Sequence, residues 1–285
     1  MSESRVTREV QAKNVTIDFI FTGTAMLPLV KRGFFADEKS RLVLPGASDP
    51  KNWAGGKLKW VDNDQKYMLQ TQESVTSTPF YDADAVGPGG LASWRDLLDP
   101  KYKDKIVVYD PRSGGPGQQM VGYIGALFGM DFLKSLYIGQ KVVYSQDSRQ
   151  MAEWLGRGAY AIALGVLTPD YVRLHDAGIA NLRVSSLKDG PGSISGGFSV
   201  ALVPNGSPHP NAATVFLNWI ASRPGQEVYS HVEKQPSRRI DVHDPSIVDF
   251  TVPKPGVNYL DQYNEDWALN QRAKIIAEVL EVLGR

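Results

Sequence analysis

The chain has 285 residues, 42% of them hydrophobic, which is enough for one large domain or two modest ones with a real core. Its 31 basic residues balance 31 acidic ones, so there is no electrostatic footprint for nucleic acid or an acidic membrane surface. It has no cysteine, which excludes disulfides, thiolate-bound zinc, iron–sulfur clusters and thiol nucleophiles.

Residues 2–13 read as a charged helix with Val6 and Val10 on one face, spaced i, i+4. The opening MSESRVTREVQAK has no apolar stretch of the kind a secretion leader needs. VTIDFIF (15–21) predicts a buried strand from its β-branched and aromatic content. Thr22-Gly23-Thr24 is a turn, and a helix is expected from Ala25 to Arg32, stopped by Gly33. Residues 36–66 are loop-rich. KYMLQTQESVTSTPFYD (66–82) reads as two extended pieces, and DAVGPGG (84–90) as a turn-dense connector.

The most informative run is SWRDLLDPKYKDKIVVYDPRSGGPGQQ, which starts at Ser93. A short polar helix with Trp94, Leu97 and Leu98 leads to a strand, Ile106–Tyr109, then a Gly/Ser loop, then a helix opening near Pro116. That geometry aims unpartnered helix N–H groups, with their partial positive charge, at an anionic or carbonyl group. Ser113 can cap or touch a ligand, and Gly114 and Gly115 allow close approach.

Beyond it, strands 141–144 and 160–166 alternate with helices 117–129, 131–136, 148–156 and 169–177, the pattern of an α/β layered domain. KDGPGSISGG (188–197) is a second turn cluster. GFSVALVP (197–204) is another strand, residues 211–222 and 225–232 are helical, and 264–283 form an amphipathic helix. No apolar run approaches the roughly 20 residues a membrane helix needs. Two α/β blocks joined by two Gly/Pro-rich crossings predict a hinged pair of lobes with a ligand taken between them.

Catalytic signatures are missing. His175, His209, His231 and His243 have no metal-binding spacing, and there is no GxSxG elbow, phosphate-binding P-loop or GxGxxG after a strand. The expectation is a protein that is not an enzyme, holds no metal and uses no cofactor.

The pieces VTIDFIFTGTA (15–25), SWRDLLDPKYKDKIVVYDPRSGG (93–115), GRGAYAIALG (156–165), GGFSVALVPNGSPHPNAATVFLNWIASRPGQEVYS (196–230) and PSRRIDV (236–242) resemble, in order, the extracellular solute-binding proteins of ABC importers. The branch is the one that takes iron(III), thiamine, polyamines and phosphonates. The resemblance implies an α/β, two-lobed type II periplasmic binding protein fold with two hinge crossings. Lobe one would be 1–85 plus 195–236, and lobe two 86–194 plus 237–285. It implies a periplasmic or extracytoplasmic protein that does not itself span the membrane. Its partners would be a small-molecule ligand and the importer's membrane permease. Family members open with a strand–helix–strand unit that this sequence is expected to lack. Iron-binding members use adjacent tyrosines after the strand matching YAIALG; here GVLTPDY holds Tyr171 alone, which disfavours iron. A cytoplasmic sensor or interaction domain on the same fold is the alternative.

The candidate ligand-binding residues are Thr22, Gly23, Thr24 and Ala25 at a strand's C-terminal end, with Ser113, Gly114 and Gly115 from the other lobe. Tyr81 and Asp82 lie at the first crossing, where Asp82 can neutralise an amine or hydrogen-bond the hinge. Thr168 and Tyr171 follow the strand 160–166, and Arg239 can grip a carboxylate or phosphate bidentately. The ligand expected is small, polar and organic, with an anionic group.

Overall fold

The computed structural model describes residues 3–185 and 187–284. The chain forms two compact units. Unit one comprises Met1–Ser74, Ser195–Pro253 and Tyr263–Asn270; unit two comprises Val75–Ile194, Lys254–Gln262 and Gln271–Arg285.

Unit one opens with α1 (Glu3–Gln11), whose Val6 is fully buried with Val10 packed beside it, as their spacing requires. Ser2, expected in this helix, lies outside the described residues. β1 (Ile20–Thr22) follows, then a 3-10 turn over Thr24–Met26 and α2 (Leu27–Lys31). α3 (Glu38–Arg41) is capped by the Asp37 carboxylate, which accepts the Ser40 N–H at 3.0 Å, and α4 (Pro45–Ser48) starts on proline. β2 (Lys59–Trp60) and β3 (Leu69–Gln70) pair antiparallel, and β4 (Ser74–Thr76) leads into unit two.

Unit two runs β5 (Pro79–Asp82), α5 (Ala83–Val86), β6 (Ile106–Tyr109), α6 (Gly115–Lys134), β7 (Val143–Ser145), α7 (Ser148–Gly156), β8 (Ile162–Leu164), α8 (Thr168–Asp176) and β9 (Leu182–Val184). Its sheet has the order β7-β6-β8-β5-β9. β6 is parallel to β7 and β8, while β5 is antiparallel to β8 and β9. The interior strands β6 and β8 are apolar from end to end, as parallel strands covered on both faces are. β10 (Ser193–Ser195) carries the chain back to unit one. There β11 (Val200–Leu202) pairs antiparallel with β1, and α9 (Pro210–Ala221) and α10 (Arg223–Glu233) follow. β12 (Leu260–Asp261) lies parallel to β10 in a three-stranded sheet with β4, and α11 (Arg272–Leu283) packs on α6.

Unit one is built round Ile20, Leu27, Leu29, Phe35, Val200 and Leu202; unit two is built round Trp94, Leu97, Ile106, Val108, Tyr123, Ile124 and Ile162. Gly115–Gly139 is apolar enough to cross a membrane by length and composition alone, but Gly129 (φ +77°) breaks the helix within it. Here 44% of that apolar window is buried, with Val121, Ile124 and Leu133 inside unit two's core.

The division differs from the expected lobes. The chain passes between units five times, where the expected bounds give three passages, and the passage at Ile194–Ser195 is common to both. The first passage falls at Ser74–Val75 rather than near residue 85, because PFYD is a strand inside unit two's sheet. Residues 237–253 stay in unit one, since Ser237 bridges to Gln72 and Arg239 to Trp53.

Candidate functional site

In unit two, parallel neighbours β6 and β8 end side by side, so the loops after them share one end of the sheet. Asp110–Gly115 follows β6. The Asp110 carboxylate accepts the Arg112 backbone N–H at 2.9 Å and forks with the Arg112 guanidinium at 2.8 and 2.9 Å. Burial works against the charged Asp110, but Arg112 outweighs it and holds the carboxyl below its ordinary range. Arg112 also lies over the Tyr144 ring at 4.8 Å. Ser113 donates its hydroxyl to the Asp110 carbonyl at 2.7 Å, which pins the turn.

Gly114 then takes φ +87°, a value only glycine adopts readily, and α6 starts with no side chain capping it. Ser113 and Gly115 are exposed. The first-turn N–H groups of α6, which runs helical to a break at Gly129 (φ +77°), therefore meet no capping side chain among the described residues, with an arginine two residues ahead of the helix cap. The close seating has its own requirement: a Cβ on Gly117 would lie 2.6 Å from the Tyr109 carbonyl oxygen. Gly165, at φ +93° after β8, sits against Tyr109 and Pro116, and so brings the loop leading to Thr168 to this same end. Leu167 in that loop donates its N–H to the Ser148 hydroxyl at 2.8 Å.

Tyr171 does not present a free ring. It packs against Phe80 at 5.5 Å and stacks on His175 at 5.9 Å, and burial pushes its phenol up. Tyr81 and Asp82 go elsewhere. Because β5 is antiparallel to β8, Tyr81 lies opposite Ile162 and Asp82 beyond it, at the sheet end away from Ser113. There the buried Asp82 caps α5 through the Asp84 N–H at 3.0 Å and accepts from Asn181 at 2.9 Å. The start of β5 sits at the Ser113 end instead. It brings a polar group that sequence reasoning missed: Gln119 donates to the Thr76 hydroxyl at 3.0 Å, and Ser193 joins Thr76 and Ser77 at 3.1 and 2.8 Å. The Thr76-Ser77-Thr78 run before Pro79 was the available signal.

In unit one, Thr22 closes β1 opposite Val200, and the turn after it lies against Gly196–Gly197. A Cβ on Gly23 would meet the Gly197 carbonyl oxygen at 2.8 Å and the Tyr263 hydroxyl at 3.2 Å, so only glycine fits. Tyr263 donates to that same carbonyl at 2.6 Å. Thr22 and Thr24 are buried and Ala25 is exposed. The expected single helix from Ala25 is instead a 3-10 turn and a five-residue α2, too short to concentrate a dipole. Phe198, 68% exposed beside Gly197, and Tyr263 were not anticipated; the GGF triplet after β10 was the only hint. Arg239 is 4% exposed, with its guanidinium engaged on both sides. It forks to Asp241 at 2.9 and 2.8 Å, donates to the Gly46 and Ala221 carbonyls at 2.7 and 3.1 Å, and lies over Trp53. The structure thus makes it a tie between segments of unit one.

A family profile described as bacterial extracellular solute-binding protein matches residues 13–262. The chain belongs to that family. An uncharacterized protein of Haemophilus influenzae is 30% identical over 139 residues, covering 47% of this chain and 38% of that relative, so the match spans well under half the relative's length. Among solved structures, the periplasmic binding protein AfuA from Actinobacillus pleuropneumoniae, with fructose-6-phosphate bound, has TM-score 0.68 at 18% identity, covering 98% of this chain and 85% of that one. Iron-bound HitA from Pseudomonas aeruginosa has TM-score 0.63 at 18% identity, with the same coverage. At these identities what is shared with the solved structures is the two-lobed periplasmic binding protein fold.

Proposed function

We propose that this solute-binding protein captures a small polar organic molecule with an anionic group, outside the cytoplasm, and hands it to the permease of an ABC importer. In unit two the residues proposed to touch the ligand are Ser113, Gly114, Gly115 and Thr168. The observation that carries this reading is the start of α6: exposed glycine and serine, no side-chain cap, and Arg112 beside it. Backbone N–H groups so placed stabilise an anionic ligand group. AfuA, which shares the fold, is described with a sugar phosphate, an anionic organic ligand of this kind. The packing of Tyr171 against Phe80 and His175 speaks against the iron chemistry named for HitA. Binding and release, without turnover, is the activity proposed.

Thermal unfolding tests this against sugar phosphates, phosphonates, carboxylates, thiamine, polyamines and Fe(III). A ligand that binds only the folded chain adds about 2.7 kcal/mol at 100 times its Kd. An anionic organic compound is expected to raise Tm, and Ser113→Pro to weaken that shift by closing the turn before α6. A shift from Fe(III) or polyamines alone overturns the ligand class; no shift from any compound overturns capture by these residues.

A further inference from the structure

Ser77, in the link between β4 and β5, stands at φ +60°. That is the left-handed region, which side chains other than asparagine and aspartate seldom adopt. Residues held this way cluster at ligand clamps and active sites. Ser77 is also 8% exposed, so its hydroxyl is shut off from bulk water and needs partners within the fold or on a bound molecule.

The bonds around it run one way. Gly192, at φ +120°, lets the chain before β10 come close: a Cβ there would stand 2.7 Å from the Thr76 carbonyl oxygen. Ser193 follows and lies beside both Thr76 and Ser77. Gln119 of α6 donates its amide N–H to the Thr76 hydroxyl at 3.0 Å. Ser193 donates to the Ser77 oxygen at 2.8 Å, and a hydroxyl has one proton to give. Ser193 therefore accepts in its 3.1 Å contact with the Thr76 hydroxyl. The chain runs from Gln119 through Thr76 and Ser193 to Ser77. The Ser77 proton is left over, with no acceptor among the described residues.

This open end lies where unit two's ligand loops are. Pro79 pairs with Leu164, so β5 begins at the sheet end where β6 and β8 finish. A helical side chain leans over the turn before it, so Gln119 reaches Thr76 on the side of the uncapped first turn of α6. We propose that Ser77 is a further ligand-binding residue of unit two, its hydroxyl donating to an acceptor oxygen of the captured molecule. The inference rests on the proposed capture of an anionic organic ligand and narrows it: the molecule turns a carboxylate, phosphate or phosphonate oxygen to Ser77, not an ammonium group. The direction of the chain favours this, since the outward element is a proton, which an ammonium group would meet head-on. Each bond in such a chain also polarises the next, which makes the last hydroxyl a stronger donor. And glycine would hold the same backbone without strain, so the hydroxyl, not the turn, accounts for serine here.

Isothermal titration calorimetry on chain 1–285 tests this, with inorganic phosphate, glucose 6-phosphate and malate as probes and spermidine as the contrasting cation. At least one anion is expected to bind the parent. Ser77→Gly and Ser77→Ala are expected to weaken that binding by roughly tenfold or more, the worth of one hydrogen bond to a charged group. Ser77→Gly suits the φ +60° backbone, and circular dichroism checks that it stays folded. Gln119→Leu, which removes the head of the chain and leaves Ser77 in place, is expected to weaken the same binding by a smaller factor. Anion binding as tight in both Ser77 variants as in the parent overturns the role of Ser77 while anion capture stands; a Ser77 proton spent on a fixed water gives that result. A parent that binds none of the three anions overturns anion capture by unit two, and this inference with it. Spermidine binding that is lost in Ser77→Gly overturns the polarity assigned to the chain.

Discussion

At the scale of single residues, the most unusual group is Glu38. It is 1% exposed; one oxygen accepts the Val203 N–H at 2.7 Å and the other has no partner. Burial pushes its carboxyl up to about 8, against the Val203 bond and Arg41, which pull it down. Unfolded, it titrates near 4.5. The folded chain therefore keeps a proton that the unfolded chain gives up between those values. The stability this adds is complete below about 4.5 and is lost as pH rises to about 8. Glu38→Gln keeps the acceptor for Val203 and removes the titration. Its Tm should match the parent's at acid pH and exceed it by several degrees at pH 8. Equal Tm differences at both ends of that window would refute the assignment. Nothing in the sequence marked Glu38, because its burial depends on β11, more than 160 residues away. Arg239 was visible as a candidate anion grip, yet its partners Asp241, Gly46 and Ala221 decide its role, and residue type alone does not name them.

Among the elements, the start of α6 was the most legible, because Gly and Pro spacing encodes a backbone rather than a partner. Serine, two glycines and a proline after an apolar strand leave few conformations, and Gly114 takes the positive φ this pattern allows. The helix at Ala25 was less legible. Its pattern was helical, but tertiary packing split it after a 3-10 turn. Strand direction was invisible too: nothing in PFYD says that β5 runs antiparallel to β8, and that direction removes Tyr81 and Asp82 from the Ser113 end. The join of β6 and α6 yields a prediction. In Gly117→Ala the new methyl would meet the backbone of Tyr109 and Asp110 at 2.6–2.7 Å, where no flexible side chain can give way. Overpacking of this kind costs about 1–3 kcal/mol, and here it pushes the helix start off the strand end. A lower Tm together with weaker binding of the ligand found by screening is expected. Unchanged stability would mean the helix seats with more room than this.

For the whole molecule, two units were readable, but not all of their boundaries. The chain returns to unit one at Ser195, inside the turn cluster 188–197, whereas it leaves unit one inside extended backbone at Ser74, ahead of the cluster at 84–90, because Gly and Pro punctuate loops that do not cross as well as loops that do. The C-terminal third alternates between units, and no composition shift announces it. That alternation makes the last helix separable in its effects. α11 belongs to unit two and lies on α6: Ile275 fills the space where a Cβ of Gly125 would stand, 2.5 Å from its Cγ2, and Val279 is 3% exposed in the core. Ending the chain at Asn270 removes this cover while leaving every segment of unit one in place. Losing a buried valine and its neighbours costs several kcal/mol, a large share of what holds a domain together. Hydrogen exchange should then show faster exchange in β6, β8 and α6 while β1 and β11 keep their protection. Equal loss in both sheets would show that the units unfold as one, and that the division between them has no counterpart in stability.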